Sequence, residues 1–205
     1  LLEIAEFLHQ HGAVTPLIIS PTDGPLRRAY EQRGIEVQVW PHPLSRHAEL
    51  PGYLEALGEI GVQLAEQAID VVCANTLHGF FAVDAAREAR LPCLWIIHES
   101  EGWRDYFDFV PPAIRSRPID CFRYPYRVVF VAKQTRTIYR DLDFYHHFTV
   151  IPNGLEPGSA PAPAASQRQA ARRTLGLNED TVGILSVGTV CDRKRQIDLI
   201  EALAR

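Results

Sequence analysis

Val150-Ile151-Pro152-Asn153-Gly154 closes an apolar run in a proline-led turn, and a Pro/Ala/Ser-rich stretch follows from Pro157 to Ser166. Beyond it the spacing predicts a helix, a strand over Val182 to Val187, and a Gly188-Thr189 turn. That turn runs through Asp192-Arg193-Lys194-Arg195 into another helix. A linker followed by a fresh strand–turn–helix is the opening of a second α/β unit. The expected organisation is therefore a first domain over 1–151, a hinge and linker over 152–166, and the beginning of a second domain over 167–205. Asn153 and Gly154 are the candidate hinge, because hinges are loop residues that absorb backbone rotation. The chemistry is expected between the domains.

Upstream, strands and helices alternate. Ala13 to Ser20 reads as a buried strand, Leu26 to Arg33 as a short helix ended by Gly34, and Ile35 to Trp40 as a strand. His42 to Pro51 reads as a loop, and apolar residues from Leu54 recur at helical spacing to about Ala68. Then come a strand over Asp70 to Ala74, a helix over Phe80 to Arg90 and a strand over Pro92 to Ile97. Arg104 to Phe122 reads as a long loop with a helix beginning at Pro111-Pro112. Arg127 to Ala132, Gln134 to Leu142 and Phe148 to Ile151 read as strand, helix and strand. The predicted strands are continuous apolar runs, so the fold class is α/β, a Rossmann-like parallel sheet with helices on both faces. Leu1 onward already reads as a helix with Ile4, Ala5 and Leu8 on one face, so a strand preceding it is expected.

Composition sets bounds on partners. Of 205 residues, 46% are hydrophobic and 22% charged, enough for a sizeable core. A net charge of −4 argues against a general nucleic-acid binder. No apolar run approaches the ~20 residues that span a bilayer. Cys73, Cys93, Cys121 and Cys191 form no C-x-x-C pair and are expected as buried free thiols in a reducing compartment. His42, His47, His146 and His147 lack the spacing of a metal site, and no metal is expected. Arg115, Arg117, Arg123, Arg127, Lys133, Arg136 and Arg140, interleaved with Phe122, Tyr124 and Tyr126, suit either an ordinary charged face or a membrane-surface or anionic-acceptor patch.

Ligands of open parallel sheets bind outside the carboxyl ends of the strands. The loops that leave those ends are Pro21–Pro25, Asn75–Gly79, His98–Gly102 and Gly188–Arg195. Thr76, His98 and Glu99 are the ligand-binding candidates of the first domain. An imidazole there can bond a sugar hydroxyl, bond a phosphate, or shuttle a proton. Gly188 lets backbone approach a ligand closely. Arg193-Lys194-Arg195 at a helix start is misplaced for the helix dipole, which favours acids, so an anion such as a diphosphate accounts for it better than a solvated cluster. The candidate diphosphate-binding residues are Gly188, Thr189, Arg193 and Lys194.

The junction, with Arg173-Thr174-Leu175-Gly176-Leu177, Leu185-Ser186-Val187-Gly188-Thr189-Val190-Cys191-Asp192-Arg193-Lys194 and Ile200-Glu201-Ala202-Leu203, resembles that of family-four (group 1) glycosyltransferases of GT-B fold. Asp70-Val71-Val72, the strand from Pro92 ending His98-Glu99, and Val128-Val129-Phe130-Val131-Ala132 resemble the N-terminal part more loosely. The resemblance implies a retaining hexosyltransferase, with a nucleotide-diphosphate sugar as donor substrate and neither cofactor nor metal. It implies a saccharide, lipid-linked or cell-envelope acceptor, and a cytoplasmic protein that can work at the inner face of the membrane. It implies catalytic roles for Lys194, against the leaving diphosphate, and for His98, near the transferred sugar. The acceptor side is the role it implies for Thr76, His98 and Glu99. Three features depart from the pattern. Thr189 stands where many relatives have arginine, with Arg193 as the substitute guanidinium. Arg195 stands where glycine is usual. The glycine-rich first loop and the paired-glutamate motif are not in the sequence, so this polypeptide alone is expected to be inactive. A nucleotide-sugar epimerase of the same architecture, and a non-catalytic binding or interaction module, remain as alternatives.

Overall fold

Six short strands pair among the described residues, and every pairing is parallel. The computed structural model describes residues 1–154 and 164–204, and of Arg193 the backbone alone. Most of the expected linker, residues 155–163, and Arg205 lie outside the described residues. The chain divides into two compact units, Leu1–Gly154 and Leu155–Arg205.

The first unit opens with α1 (Leu2–Gln10), β1 (Leu17–Ser20), α2 (Leu26–Glu31) and β2 (Glu36–Val39), which share a small core around Ala5, Tyr30 and Ile35. Next come α3 (Leu50–Glu66), β3 (Val72–Asn75), α4 (Phe80–Glu88), β4 (Cys93–Ile97), α5 (Trp103–Tyr106) and α6 (Ser116–Asp120). β5 (Arg127–Phe130), α7 (Lys133–Ile138) and β6 (Phe148–Val150) complete it. β1 and β2 make a two-stranded sheet, and β3-β4-β5-β6 a four-stranded one. The expected single sheet is thus two, because no described strand lies between β1 and β3 to carry the ladder across. The second unit holds α8 (Ala165–Thr174) and α9 (Gln196–Leu203).

Several boundaries move, each for a local reason. The strand expected from Ala13 begins only at Leu17, and Ala13, Val14 and Thr15 are exposed. α3 begins a turn before Leu54. Pro51 sits in its first turn, where a missing N–H costs nothing, and Tyr53, Leu57, Ile60 and Leu64 form its buried face at helical spacing. Pro111-Pro112 does not start a helix; α6 begins at Ser116. The helix expected to Leu142 ends at Ile138, and a 3-10 turn follows over Arg140–Leu142. The strand expected over Val182 to Val187 is absent. A strand needs a neighbour's N–H and C=O ladder, and none of the described residues of this unit offers one. Val182, Leu185 and Val187 are 84%, 85% and 85% exposed.

Cys93 and Cys121 are buried free thiols as expected, and burial pushes the Cys93 thiol up to about 12. Cys73 and Cys191 are exposed, which corrects the expectation of four buried thiols. Side chains alternate faces along a strand, and on the edge strand β3 Ala74 takes the core side and Cys73 the other.

The main core lies between the four-stranded sheet and α3, α4 and α6. Trp95, Phe122, Tyr139, Phe130 and Phe148 pack ring to ring within it. A charge is buried against this core. Asp84 of α4 has no exposed surface, and Arg117 of α6 grips both its oxygens at 2.8 Å. Arg87 reaches it at 2.9 Å, the Tyr53 hydroxyl donates to it at 3.0 Å, and Arg117 also holds Glu88 at 2.9 Å. A buried carboxylate is tolerable only when so paired. Phe122 is buried, and the mostly buried Arg117 is engaged by Asp84 and Glu88, so neither offers a free group to an open basic-aromatic face.

Removing one partner of such a pair leaves the other uncompensated, at a cost of about 3–5 kcal/mol. Asp84→Asn is expected to lower unfolding stability by that amount, and Tyr53→Phe by about 1 kcal/mol, read from urea denaturation midpoints. Near-equal midpoints for Asp84→Asn and the parent chain would refute the role given to this cluster.

Candidate active site

β3 and β4 run parallel with Asn75 opposite Ile96, so their chains leave the sheet at one edge. Asn75 is the last residue of β3, and His98 directly follows β4. The Asn75 amide oxygen lies 3.0 Å from His98 Nε2. The Glu99 carboxylate accepts from the backbone N–H of Leu77 at 3.0 Å and of His98 at 3.2 Å. The acidic side chain thus ties the two exit loops together. One oxygen, Oε2, takes both bonds and makes the side chain a brace, a role its position in sequence did not disclose.

Thr76 lies between these residues with φ 68° and ψ 161°, a region almost reserved for glycine and least suited to a β-branched residue. β4 holds it there from both sides. The Thr76 N–H donates to the Ile96 carbonyl at 2.8 Å, and the Trp95 indole N–H donates to the Thr76 carbonyl at 2.8 Å. Such strain persists only where surrounding contacts over-determine it, and it clusters at functional sites.

A second layer sits beside this edge. His42, in the loop after β2, is buried, with its ring 4.7 Å from that of His78 and 4.3 Å from that of Phe81. Burial first, and His78 second, hold the His42 pKa down to about 4. Its Nδ1 accepts from the Leu44 N–H at 3.1 Å, so the neutral ring carries its proton on Nε2. The Tyr139 hydroxyl reaches over to the Glu101 carbonyl at 2.6 Å and fixes the far end of the His98–Gly102 loop. Trp95 and Tyr139 were not singled out from the sequence, His42 was weighed only as a metal ligand, and Asn75 entered only as the start of an exit loop. An apolar run such as Cys93–Ile97 gives no sign that its tryptophan will donate to a neighbouring loop. For Asn75 the available signal was its place at the end of a strand.

In the second unit, Gly188 adopts φ 155°, which L side chains rarely reach, and the Lys194 stem lies 3.9 Å from where its Cβ would stand. Gln196 Nε2 donates to the Thr189 carbonyl at 3.0 Å. Gly188, Thr189 and Lys194 are thus gathered about one short loop, with Lys194 in a 3-10 turn that leads into α9. The Arg193 side chain lies outside the described residues. Arg195 is left-handed, φ 55° and ψ 34°, a backbone that glycine would reach without strain. Asn153 and Gly154 are exposed at the end of the first unit. His98 belongs to the first unit and Lys194 to the second.

Among the described residues, no three of His, Cys, Asp and Glu are grouped to hold a metal ion, and no helix is long and apolar enough to cross a membrane. A surface hollow of about 390 Å³ is lined by Lys133, Arg136, Thr137, Phe148, Thr149 and Val150, none of which belongs to the sites above.

Residues 1–154 match the model of a family described as a glycosyl transferase 4-like domain. No curated protein matches the sequence. Among solved structures, a Listeria monocytogenes protein assigned as a UDP-N-acetylglucosamine 2-epimerase aligns with a TM-score of 0.51 at 13% identity, over 72% of this chain and 40% of its own. Glycyrrhiza uralensis UGT73P12, complexed with glycyrrhetinic acid 3-O-monoglucuronide, aligns with a TM-score of 0.44 at 13% identity, over 75% of this chain and 45% of its own. The chain spans less than half the length of either structure. The fold is the Rossmann-like α/β arrangement of GT-B enzymes.

Two outcomes follow from the site. The unfolded state protonates His42 near pH 6.5 and the folded state near 4, so the stability supplied by its neutral burial is whole above 6.5 and lost as pH falls toward 4. At pH 5 the loss is about 2 kcal/mol, and His42→Phe is expected to remove that part of the decline between pH 7 and 5 in urea midpoints; an unchanged decline would contradict it. Relief of about 1–3 kcal/mol of strain outweighs the roughly 0.5–1 kcal/mol entropic cost of glycine. Thr76→Gly is therefore expected to raise the melting temperature, and a lowered one would show that Thr76 is not strained.

Proposed function

The chain belongs to the glycosyl transferase 4-like family, and from that premise we propose that it is the acceptor-side half of a retaining glycosyltransferase, with the donor half opening in its second unit. The donor is a nucleotide-diphosphate sugar, used as substrate without cofactor or metal. The acceptor is a saccharide, lipid-linked or cell-envelope hydroxyl compound. The observation that carries the reading is the histidine held at the carboxyl end of β4, inside the residues the family model matches. That edge is where open parallel sheets bind ligands.

In this reading His98 and Thr76 face the reacting sugar and its acceptor, with Glu99 bracing their loops. Lys194, with the backbone of Gly188 and Thr189, meets the departing diphosphate, and Arg193 adds charge. Removing one preorganised donor aimed at developing negative charge costs about 2.7–4 kcal/mol, and a fixed cation acts on the same charge. Asn153-Gly154 serves as the hinge between an acceptor domain over 1–151 and a donor domain from 167. The enzyme works in the cytoplasm, at the inner membrane face when the acceptor is lipid-linked.

A nucleotide-sugar 2-epimerase is the second reading, favoured by the fold shared with the Listeria monocytogenes protein. A full-length polypeptide containing this chain, offered UDP-, GDP-, ADP- and dTDP-sugars with and without saccharide acceptors, decides between them. Acceptor-dependent release of nucleoside diphosphate is expected, and Lys194→Ala is expected to lower turnover about 10²–10³-fold. Release without acceptor, together with an inverted C2, would favour the epimerase. No binding of any nucleotide would leave only a non-catalytic module.

A further inference from the structure

What His98 can do chemically depends on which of its two ring nitrogens carries the proton, and Asn75 bears on that choice. The amide oxygen of Asn75 stands 3.0 Å from Nε2. An amide oxygen has lone pairs and no proton to give, so the ring is the donor in this contact. A neutral imidazole holds one N–H, and spending it on Nε2 leaves Nδ1 with a lone pair. The backbone on both sides is fixed independently. Glu99 accepts the N–H of His98 itself and that of Leu77, which follows the strained Thr76. The imidazole thus stands on two held loops, with one nitrogen assigned.

We propose that Asn75 is a positioning residue that sets the tautomer of His98, so that His98 acts through Nδ1 as a hydrogen-bond acceptor for a substrate hydroxyl. The proposal rests on the functional reading above and sharpens it. Three roles were open to an imidazole at this edge: bonding a hydroxyl, bonding a phosphate, or shuttling a proton. A hydroxyl has a proton to donate to a lone pair, whereas an ionised phosphate oxygen has none and meets the lone pair unfavourably. With Nε2–H committed to Asn75, the neutral ring is sorted toward sugar hydroxyls and away from the diphosphate.

The test uses the whole chain, labelled with ¹⁵N, in long-range ¹H–¹⁵N correlation spectra at about pH 8, above the ordinary histidine range. His98→Gln identifies the His98 signals among the eight histidines. The parent chain is expected to show a proton-bearing Nε2 and a lone-pair Nδ1. Asn75→Asp keeps an acceptor oxygen and is expected to preserve that pattern when read at about pH 10, since its charge favours the doubly protonated ring at lower pH. Asn75→Leu removes it and is expected to collapse the pattern to the averaged signals of a tautomer mixture. A proton-bearing Nδ1 in the parent chain, or an unaltered pattern in Asn75→Leu, overturns the proposal. Should Asn75→Leu not fold, the parent and Asn75→Asp spectra still decide. No glycosyl donor is present in the measurement, so its outcome is independent of whether the protein transfers sugar.

Discussion

Parallel pairing of β3, β4, β5 and β6 is the constraint from which the rest of the first unit follows. Parallel neighbours cannot be joined by a tight hairpin, so each connection must cross back over the sheet, here through helices and 3-10 turns. Those crossovers cover the sheet and make its strands apolar. They also send every strand out at the same edge, which is why two loops far apart in sequence, Asn75–Gly79 and His98–Gly102, come to share a glutamate and an asparagine–histidine contact.

The crossovers need their own fastening, and the sequence supplies an ionic one. Asp84 is buried where α3, α4 and α6 meet, and its oxygens are consumed by Arg117, Arg87 and Tyr53. An apolar replacement of similar volume would cost less desolvation, so the cluster's contribution is better seen as specificity. A bidentate guanidinium accepts one geometry, and that geometry sets where α6 lies against α4. α6 in turn leads into Cys121 and Phe122, which seal the core beneath Trp95.

Of the five non-glycine residues with positive φ among the described residues, two stand where ligand chemistry is proposed, while Ala68, Arg90 and His146 lie elsewhere. Thr76 occupies a glycine-like conformation at the exit of β3, and Arg195 a left-handed one just after Lys194. In the first case the cause is visible: the indole of Trp95 and the carbonyl of Ile96 pin both sides of the residue. The second is a left-handed conformation that glycine would adopt without strain. Proteins hold such residues against their own torsional preference when a loop must present its groups in one arrangement.

Local pattern in the sequence determined the α/β class, the parallel strands, the identity of the exit loops and the place of His98, because periodicity and strand ends are properties of neighbouring residues. It also determined the Gly188–Lys194 loop, through a glycine followed by cations at a helix start. Tertiary structure alone decided what each polar group is bonded to. Arg117 looked like surface charge until Asp84, far away in sequence, was brought against it, and that Glu99 also braces the Leu77 and His98 backbones through one oxygen could not be read from its place in the chain. Long-range partners also decided the negative results. Val182 to Val187 has the composition of a strand and no described ladder beside it, and Cys73 sits in an apolar run yet faces outward on an edge strand. A residue's propensity is written in the chain, whereas its partner exists only once the chain has folded.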